Sequence, residues 1–561
     1  MTKRGATVET ILSLFDAHGK KFEPRNLATA AHRIAKFGGK SRDLQHDGRL
    51  IALVEACRAR AREFDARQFA NAAWAFATAR VNSIELFDEL AEAGQSRLVE
   101  FNAQELSNTA WAFATAGAEA PQLFGTIADV ASSRLGDFNA QNLANTAWAF
   151  ATVRFRATEL FEAIAVAARP RLLEFNAQDV ANTVWAFAEA GVEAPDLFRA
   201  IADVARSKLA EFKPYALANM VWAFATTKVE APLLFDAVSS KLRRRVDELR
   251  ARGLANAAWA FATAGVAAPQ LFEEIAAAAG PRLGDLGARD LVNTAWSFAT
   301  AGARASRLFE EIAEKARSHA DNFSKDDFVN TAWAFATAGV KAPQLFEKLA
   351  DAARSKLAEF SPQEMARVAW SFATAGMSAP RLFEDIAEKV RSRLDEIDAH
   401  GLANAAWSFA TEGVDAPRLY DAIARASRSR LNEFDAEDYA NTAWAFACVD
   451  WKKDPLLFAE LTDRTGWTHV VDHVTPDGLS LDMAQPETKC AIQVDGPSRY
   501  LQGADNCWIE DGPTRLKSRL LHRLGWDISH IPFFEWAALD GKRAQDAYLQ
   551  TKLQPTEYAL L

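Results

Sequence analysis

Seven residues before each of eleven tryptophans stands a polar side chain whose type changes from copy to copy. Before Trp74, Trp111, Trp148, Trp185, Trp222, Trp259, Trp296, Trp333, Trp370, Trp407 and Trp444 this position reads Arg67, Gln104, Gln141, Gln178, Tyr215, Arg252, Arg289, Asp326, Gln363, His400 and Glu437. Three residues before each Trp the chain has Asn71, Asn108, Asn145, Asn182, Asn219, Asn256, Asn293 and Asn330, then Arg367, Asn404 and Asn441. A constant frame of amide and indole thus surrounds one changeable group per copy. Amides and guanidinium groups bond base edges, and aromatic faces stack on bases, so the pattern suits a modular reader of a polymer. Recognition is the chemistry indicated; catalysis needs separate grounds.

Structural uses compete with that reading. Trp would fill the seam between neighbouring copies, and Asn would bond the next copy's backbone as a ladder. The changing position resists a packing account, because Arg, Gln, Tyr, Asp and His share neither volume nor polarity, although a freely solvated site would vary too. A second column lies 23 residues after each Trp: Arg97, Arg134, Arg171, Lys208, Arg245, Arg282, His319, Lys356, Arg393 and Arg430. As a rail of cations it would hold phosphates. A cation answering the C-terminal end of a helix dipole accounts for the same column.

The tryptophans fall exactly 37 residues apart, and such a period builds stacked-repeat architectures with long binding surfaces. Residues 102–138 illustrate the unit. Asn102 and Glu105 form a capping pattern, a first helix runs to about Ala116, and Gly117 stops it. Gly191, Gly265, Gly302, Gly339, Gly376 and Gly413 repeat that stop, and Pro121 opens a second helix. On a helical wheel Leu106, Ala110 and Phe113 share one face of the first helix, while Gln104, Asn108, Trp111 and Thr115 share the other. The expected fold is an all-α right-handed solenoid of 37-residue helix pairs over residues 65–450. Residues 1–64 form a degenerate cap repeat around 26–37, offset by five residues, in which the Trp is lost.

Composition bounds the function. The net charge of −10 argues against wholesale polyanion binding, so a nucleic-acid ligand needs locally placed cations. The four cysteines, Cys57, Cys448, Cys490 and Cys507, have no metal-ligand spacing and suit a reducing compartment. No apolar run is long enough to span a membrane, and the first residues read neither as a secretory signal nor as a good transit peptide. No metal or cofactor is expected.

After Phe446 the pattern stops, and 451–466 is a junction. Residues 467–561 read as a small α/β domain: strands at 480–483, 490–495 and 526–532, helices at 513–524 and about 535–552. Ala491-Ile492-Gln493-Val494-Asp495-Gly496-Pro497-Ser498-Arg499-Tyr500, then Thr514 to Lys517, Gly525-Trp526 and Ile531-Pro532-Phe533-Phe534-Glu535-Trp536 resemble the RAP domain. That resemblance implies an RNA-binding module with a restriction-endonuclease-like fold. The repeats, with Phe-Asn-Ala-Gln-Asp-Val-Ala-Asn-Thr-Val-Trp-Ala-Phe-Ala at 175–188, resemble octotricopeptide repeats. These imply sequence-selective binding of single-stranded RNA in organellar RNA processing, stability or translation.

The resemblance therefore implies a monomer in a mitochondrion or chloroplast, with single-stranded RNA and RNA-processing or ribosomal proteins as partners. The expected RNA contacts are Arg67, Gln104, Asn108, Gln141, Asn145, Gln178, Asn182, Tyr215, Asn219, Arg252, Asn256, Arg289 and Asn293, with phosphates on Arg134, Arg171, Lys208, Arg245, Arg282, Lys356, Arg393 and Arg430. A metal-dependent nuclease would draw on Asp482, Asp495 and Lys517, yet Gln493 stands where the family places an acid, and Gln lacks a metal-binding charge. An armadillo-like scaffold gripping an extended peptide is the rival class, and the acidic total suits it.

Overall fold

The computed structural model describes residues 7–38, 46–81 and 83–435, parts of 438–446, and, further on, six short strands with a few flanking positions. The chain divides into two units, residues 1–282 and 283–561.

In residues 1–282, first helices at Pro24–Gly38, Ala66–Thr78, Ala103–Ala116, Ala140–Thr152, Ala177–Ala190, Pro214–Thr226 and Ala251–Thr263 pack side by side. Second helices at Gly48–Ala59, Ile84–Gln95, Pro121–Ser132, Thr158–Ala168, Pro195–Ser207, Pro232–Leu242 and Pro269–Ala279 form another layer. A short 3₁₀ turn closes each copy. Residues 283–435 repeat the plan, with first helices Ala288–Thr300, Lys325–Thr337, Pro362–Ala375 and Ala399–Glu412 and second helices Ser306–His319, Pro343–Lys356, Pro380–Val390 and Pro417–Arg428.

Local sequence explains these boundaries. Asp65, Asn102, Asn139, Asn176, Ser324 and Ser361 each complete a capping box with the residue three further on. The cap side chain accepts the amide N–H of the third helical residue, whose own side chain accepts the N–H of the cap, so two unpartnered donors are satisfied. At the far end the seven glycines adopt φ of 61–70°, where a Cβ would be strained.

Leu106, Ala110 and Phe113 are fully buried, as the wheel requires. Within each unit the second-helix Phe of most copies meets the first-helix Phe of the next edge to face. Phe124 and Phe150 lie 5.1 Å apart at 83°, and Phe346 and Phe372 lie 4.9 Å apart at 81°. Such T-shaped pairs add about 0.5–1.5 kcal/mol beyond area burial, and here each one joins neighbouring copies.

The N-terminal cap holds more structure than the degenerate repeat implied. Pro24–Gly38 packs on Ala66–Thr78 as a first helix, and His32 takes the missing tryptophan's place, 5.1 Å from the Trp74 ring. A further helix, Val8–His18, lays Ile11, Leu12 and Phe15 over the exposed end, and Glu9 holds Arg49 through two bonds of 2.7 and 2.8 Å.

In the C-terminal region β1 (Val470–Val474), β2 (Ser480–Gln485), β3 (Cys490–Asp495) and β6 (Asp527–Pro532) form a sheet in that order. The first three run antiparallel, and β3 pairs with β6 in parallel. The strands read at 480–483, 490–495 and 526–532 correspond to β2, β3 and β6. β1 and the small pair β4 (Tyr500–Gln502) and β5 (Trp508–Glu510) were not legible. The helices expected at 513–524 and 535–552 fall outside the described residues, apart from Leu521 and Glu535.

Candidate nucleic-acid interface

The changing position lies one turn into each first helix, and it is open to solvent. Arg67, Gln104, Gln141, Gln178, Tyr215, Arg252, Arg289, Asp326 and His400 are exposed; Gln363 is half-buried, and Glu437 falls outside the described residues. Some of these side chains reach the next copy. The Tyr215 hydroxyl donates to Gln178 Oε1 at 2.6 Å, and Gln178 Nε2 donates to Asn182 Oδ1 at 2.7 Å. Gln363 Oε1 accepts from the Asp398 amide at 3.1 Å, and His400 Nδ1 lies 2.7 Å from Asp438 Oδ1. Arg67, Gln104, Gln141, Arg252 and Arg289 make no side-chain hydrogen bond among the described residues.

Beside them the asparagines from Asn71 to Asn404 are half-buried. Asn182 accepts the bond from Gln178, but among the described residues none of these amides donates to a neighbouring copy. A backbone ladder would have used those donors. They remain available at the surface.

The tryptophans meet one another. Trp111–Trp148, Trp148–Trp185 and Trp296–Trp333 have ring centroids 6.3–6.4 Å apart, tilted by 32–36°. Holding a base between two rings needs about 6.8 Å of clear separation, twice the ~3.4 Å stacking repeat. The tilted rings leave less, so the tryptophans fill the seam and offer a ligand their edges. Where the Asn frame breaks, Arg367 lies over Trp333 at 5.4 Å, and burial lowers its pKa.

The basic column has intramolecular partners where the sequence suggested phosphates. Arg97, Arg134, Arg171, Lys208 and Arg245 donate to the carbonyls of Phe64, Phe101, Phe138, Phe175 and Phe212 at 2.6–3.3 Å. Lys356 donates likewise to Phe323, and Arg430 to Ile397. Each acceptor lies 33 residues back, in the extended link between the preceding copy and the first helix of the cation's own copy, where no helical N–H reaches it. Arg60, five residues earlier than the first Trp-defined copy begins, makes the same bond to Phe22.

Most of these arginines also pair with a carboxylate three residues on. Arg171 meets Glu174 at 2.9 Å and Arg245 meets Glu248 at 2.7 Å, raising each arginine's pKa and lowering each acid's. Arg282 bonds the Ala278 and Asp247 carbonyls, and Arg393 pairs with Glu396. The physical cause of the difference is simple. The carbonyls that the helix leaves orphaned and the i+3 acids take up the column's cations, so the column staples copies together.

Sequence reasoning missed one set of cations. At the left-handed stop, three copies carry Arg80, Arg154 and Lys228 in place of Gly, with φ of 54–55°. The signal was present as a departure from the Gly pattern.

Residues 43–165, 93–268 and 237–480 match the family model of the RNA-editing substrate-binding complex 6 protein. These overlapping stretches run from 43 to 480, well over half of the chain. The chain belongs to that family. Residues 492–552 match the RAP domain, so this member of the RNA-editing substrate-binding complex 6 family is a helical-repeat protein with a C-terminal RAP domain. A solved structure described as a homology model of the full-length AP-3 complex in an intermediate open conformation aligns over 82% of this chain and 83% of that one. The identity is 10% and the TM-score 0.33.

The backbone of Asp482 lies in β2, ahead of the residues that match the RAP domain, and Asp495, within them, ends β3 opposite Pro532 of β6. Gln493 is buried, on β3 opposite His530. Lys517 falls outside the described residues. Among the described residues, no helix is long and apolar enough to cross a membrane.

Proposed function

We propose that the first-helix layer binds single-stranded RNA and reads its sequence. Arg67, Gln104, Gln141, Gln178, Tyr215, Arg252 and Arg289 contact base edges, while Asn108, Asn145, Asn182, Asn219, Asn256 and Asn293 hold the strand against the helices. The observation that carries this reading is the row of half-buried amides with unspent donors beside exposed polar groups that differ from copy to copy. A merely structural row would have closed its hydrogen bonds within the protein.

The family's own name ties its members to RNA editing and to a substrate-binding complex, and the RAP match supports a second RNA contact at the C-terminus. We read the repeats as octotricopeptide-like, wound as a right-handed solenoid, and the C-terminal region as restriction-endonuclease-like in fold but used for binding. Residues 1–64 serve as the cap, 65–450 as the array, 451–466 as a junction and 467–561 as the RAP-containing domain. RNA and the other proteins of an RNA-editing complex are its partners in this account, and the mitochondrion its place of action. Under this reading Arg134, Arg171, Lys208, Arg245, Lys356 and Arg430 fix the spacing of copies.

Titrating fluorescent single-stranded RNA against the full chain at two salt concentrations tests the proposal. Saturable binding that weakens with salt, and that shifts in base preference when Gln141 or Arg252 is exchanged, is the expected result. Binding only to extended peptides would transfer the protein to the scaffold class.

A further inference from the structure

Phosphate contacts need placed cations in a chain of net charge −10, and the column 23 residues after each Trp is already occupied within the protein. We infer that Arg80, Arg154 and Lys228 form a separate phosphate-holding row on the C-terminal rim of the first helices in residues 1–282. This inference rests on the RNA reading above and deepens it.

The argument begins with conformation. Ten described copies end the first helix with a residue in the left-handed region; seven use Gly and three use Arg80, Arg154 and Lys228. A side chain with a Cβ is strained there, and the residue that ordinarily replaces Gly at such a stop is Asn. Here every replacement is a cation, although Lys and Arg make up only 64 of 561 residues.

The turn itself does not need these side chains. Val81, Phe155 and Val229 return their amides to Phe76, Phe150 and Phe224 at 3.0–3.2 Å, as Val192 does to Phe187 beside Gly191. A helix-dipole use would serve every copy alike. The cations instead alternate, standing at Arg80, Arg154 and Lys228 while Gly117, Gly191 and Gly265 fill the copies between; the described copies of 283–435 all have Gly.

All three side chains are exposed. Arg154 is 85% exposed, and its carboxylate neighbour Glu189 is 3.8 Å away, too distant and too wet to hold it. Val153 and Phe155, on either side of Arg154 in sequence, line a cavity of about 460 Å³ together with Gly117, Ala118, Pro121 and Phe124. The Phe155 and Phe124 rings lie 6.1 Å apart, inclined by 29°. A phosphate on Arg154 would leave its sugar or base above this apolar floor.

The rim and the changing row lie at opposite ends of a 13-residue helix, about 20 Å apart. A strand crossing successive first helices would therefore direct bases toward one edge and phosphates toward the other.

The test is the triple variant Arg80→Gly, Arg154→Gly, Lys228→Gly in the full chain, bound to random single-stranded RNA across a salt series. Gly is the native residue of the other copies, so the unfolding midpoint should not fall. The slope of log affinity against log salt should become shallower by about 2, which makes the wild-type advantage shrink about 20-fold between 50 and 200 mM salt. RNA-binding wild type with an unaltered variant overturns the rim alone. Wild type that binds no single-stranded RNA overturns the rim together with the reading beneath it. Gly117→Arg in the wild-type background gives the converse check: it should tighten binding, and unchanged affinity there counts against the row.

Discussion

Replacing Arg171 by Gln should weaken the fold and leave RNA binding nearly intact. The guanidinium Nη1 sits 2.6 Å from the Phe138 carbonyl and joins two copies across 33 residues. A hydrogen bond from a charged donor contributes roughly 1.5–3 kcal/mol when buried. Arg171 retains 29% of its side-chain exposure, so water compensates part of the loss and about 1–2 kcal/mol is the reasonable expectation. In a repeat array stability is a sum of copy and interface terms, so the effect should appear as a lowered denaturant midpoint or a separated early transition. Urea unfolding followed by circular dichroism measures it, alongside the salt dependence of RNA affinity. A staple predicts a lower midpoint and an unchanged salt slope. An unaltered midpoint with the slope shallower by about 0.7 would refute the reasoning and return this residue to the phosphate column.

Trp148→Ala should cost about 3–5 kcal/mol, since its ring packs against both Trp111 and Trp185; urea unfolding checks this, and a neutral result would detach the tryptophans from the seam. Gln141→Arg and Arg252→Gln should change base preference in a binding-selection experiment while the melting temperature stays within about 1 °C, as solvated helix positions have little effect on stability. His32 gives a pH dependence. Burial against Trp74, followed by the charges of Lys36, Arg33 and Arg67, pushes its pKa below the ordinary 6.5. Well above pH 6.5 the imidazole is neutral in both states and its stabilisation is complete; as pH falls through 6.5, the unfolded chain takes the proton first and the folded state loses ground. His32→Gln should flatten that decline between pH 6.5 and 5, and a constant offset between the two proteins would contradict it.

The helices were readable because each boundary is written locally: Asn102 with Glu105 at one end, Gly117 in the left-handed turn at the other. Period alone supplied the layering, since residues 37 apart must occupy equivalent places. The carbonyl partners of Arg134, Arg171 and Lys208 could not be read, because backbone carbonyls have no signature in sequence. Helix Val8–His18 lies outside the period, so its role as a lid over Pro24–Gly38 emerged only from packing. The strained cations Arg80, Arg154 and Lys228 differ from Gly by a single letter each. Their meaning depends on φ, which letters do not carry.

Ultraviolet crosslinking of single-stranded RNA to the full chain, with the attached peptides located by mass spectrometry, tests the central claim most directly. The account predicts adducts in peptides of the first helices, at Gln104, Gln141, Tyr215 and Arg252 and their neighbours. Adducts confined to the second helices, such as Pro121–Ser132 and Pro195–Ser207, would contradict it.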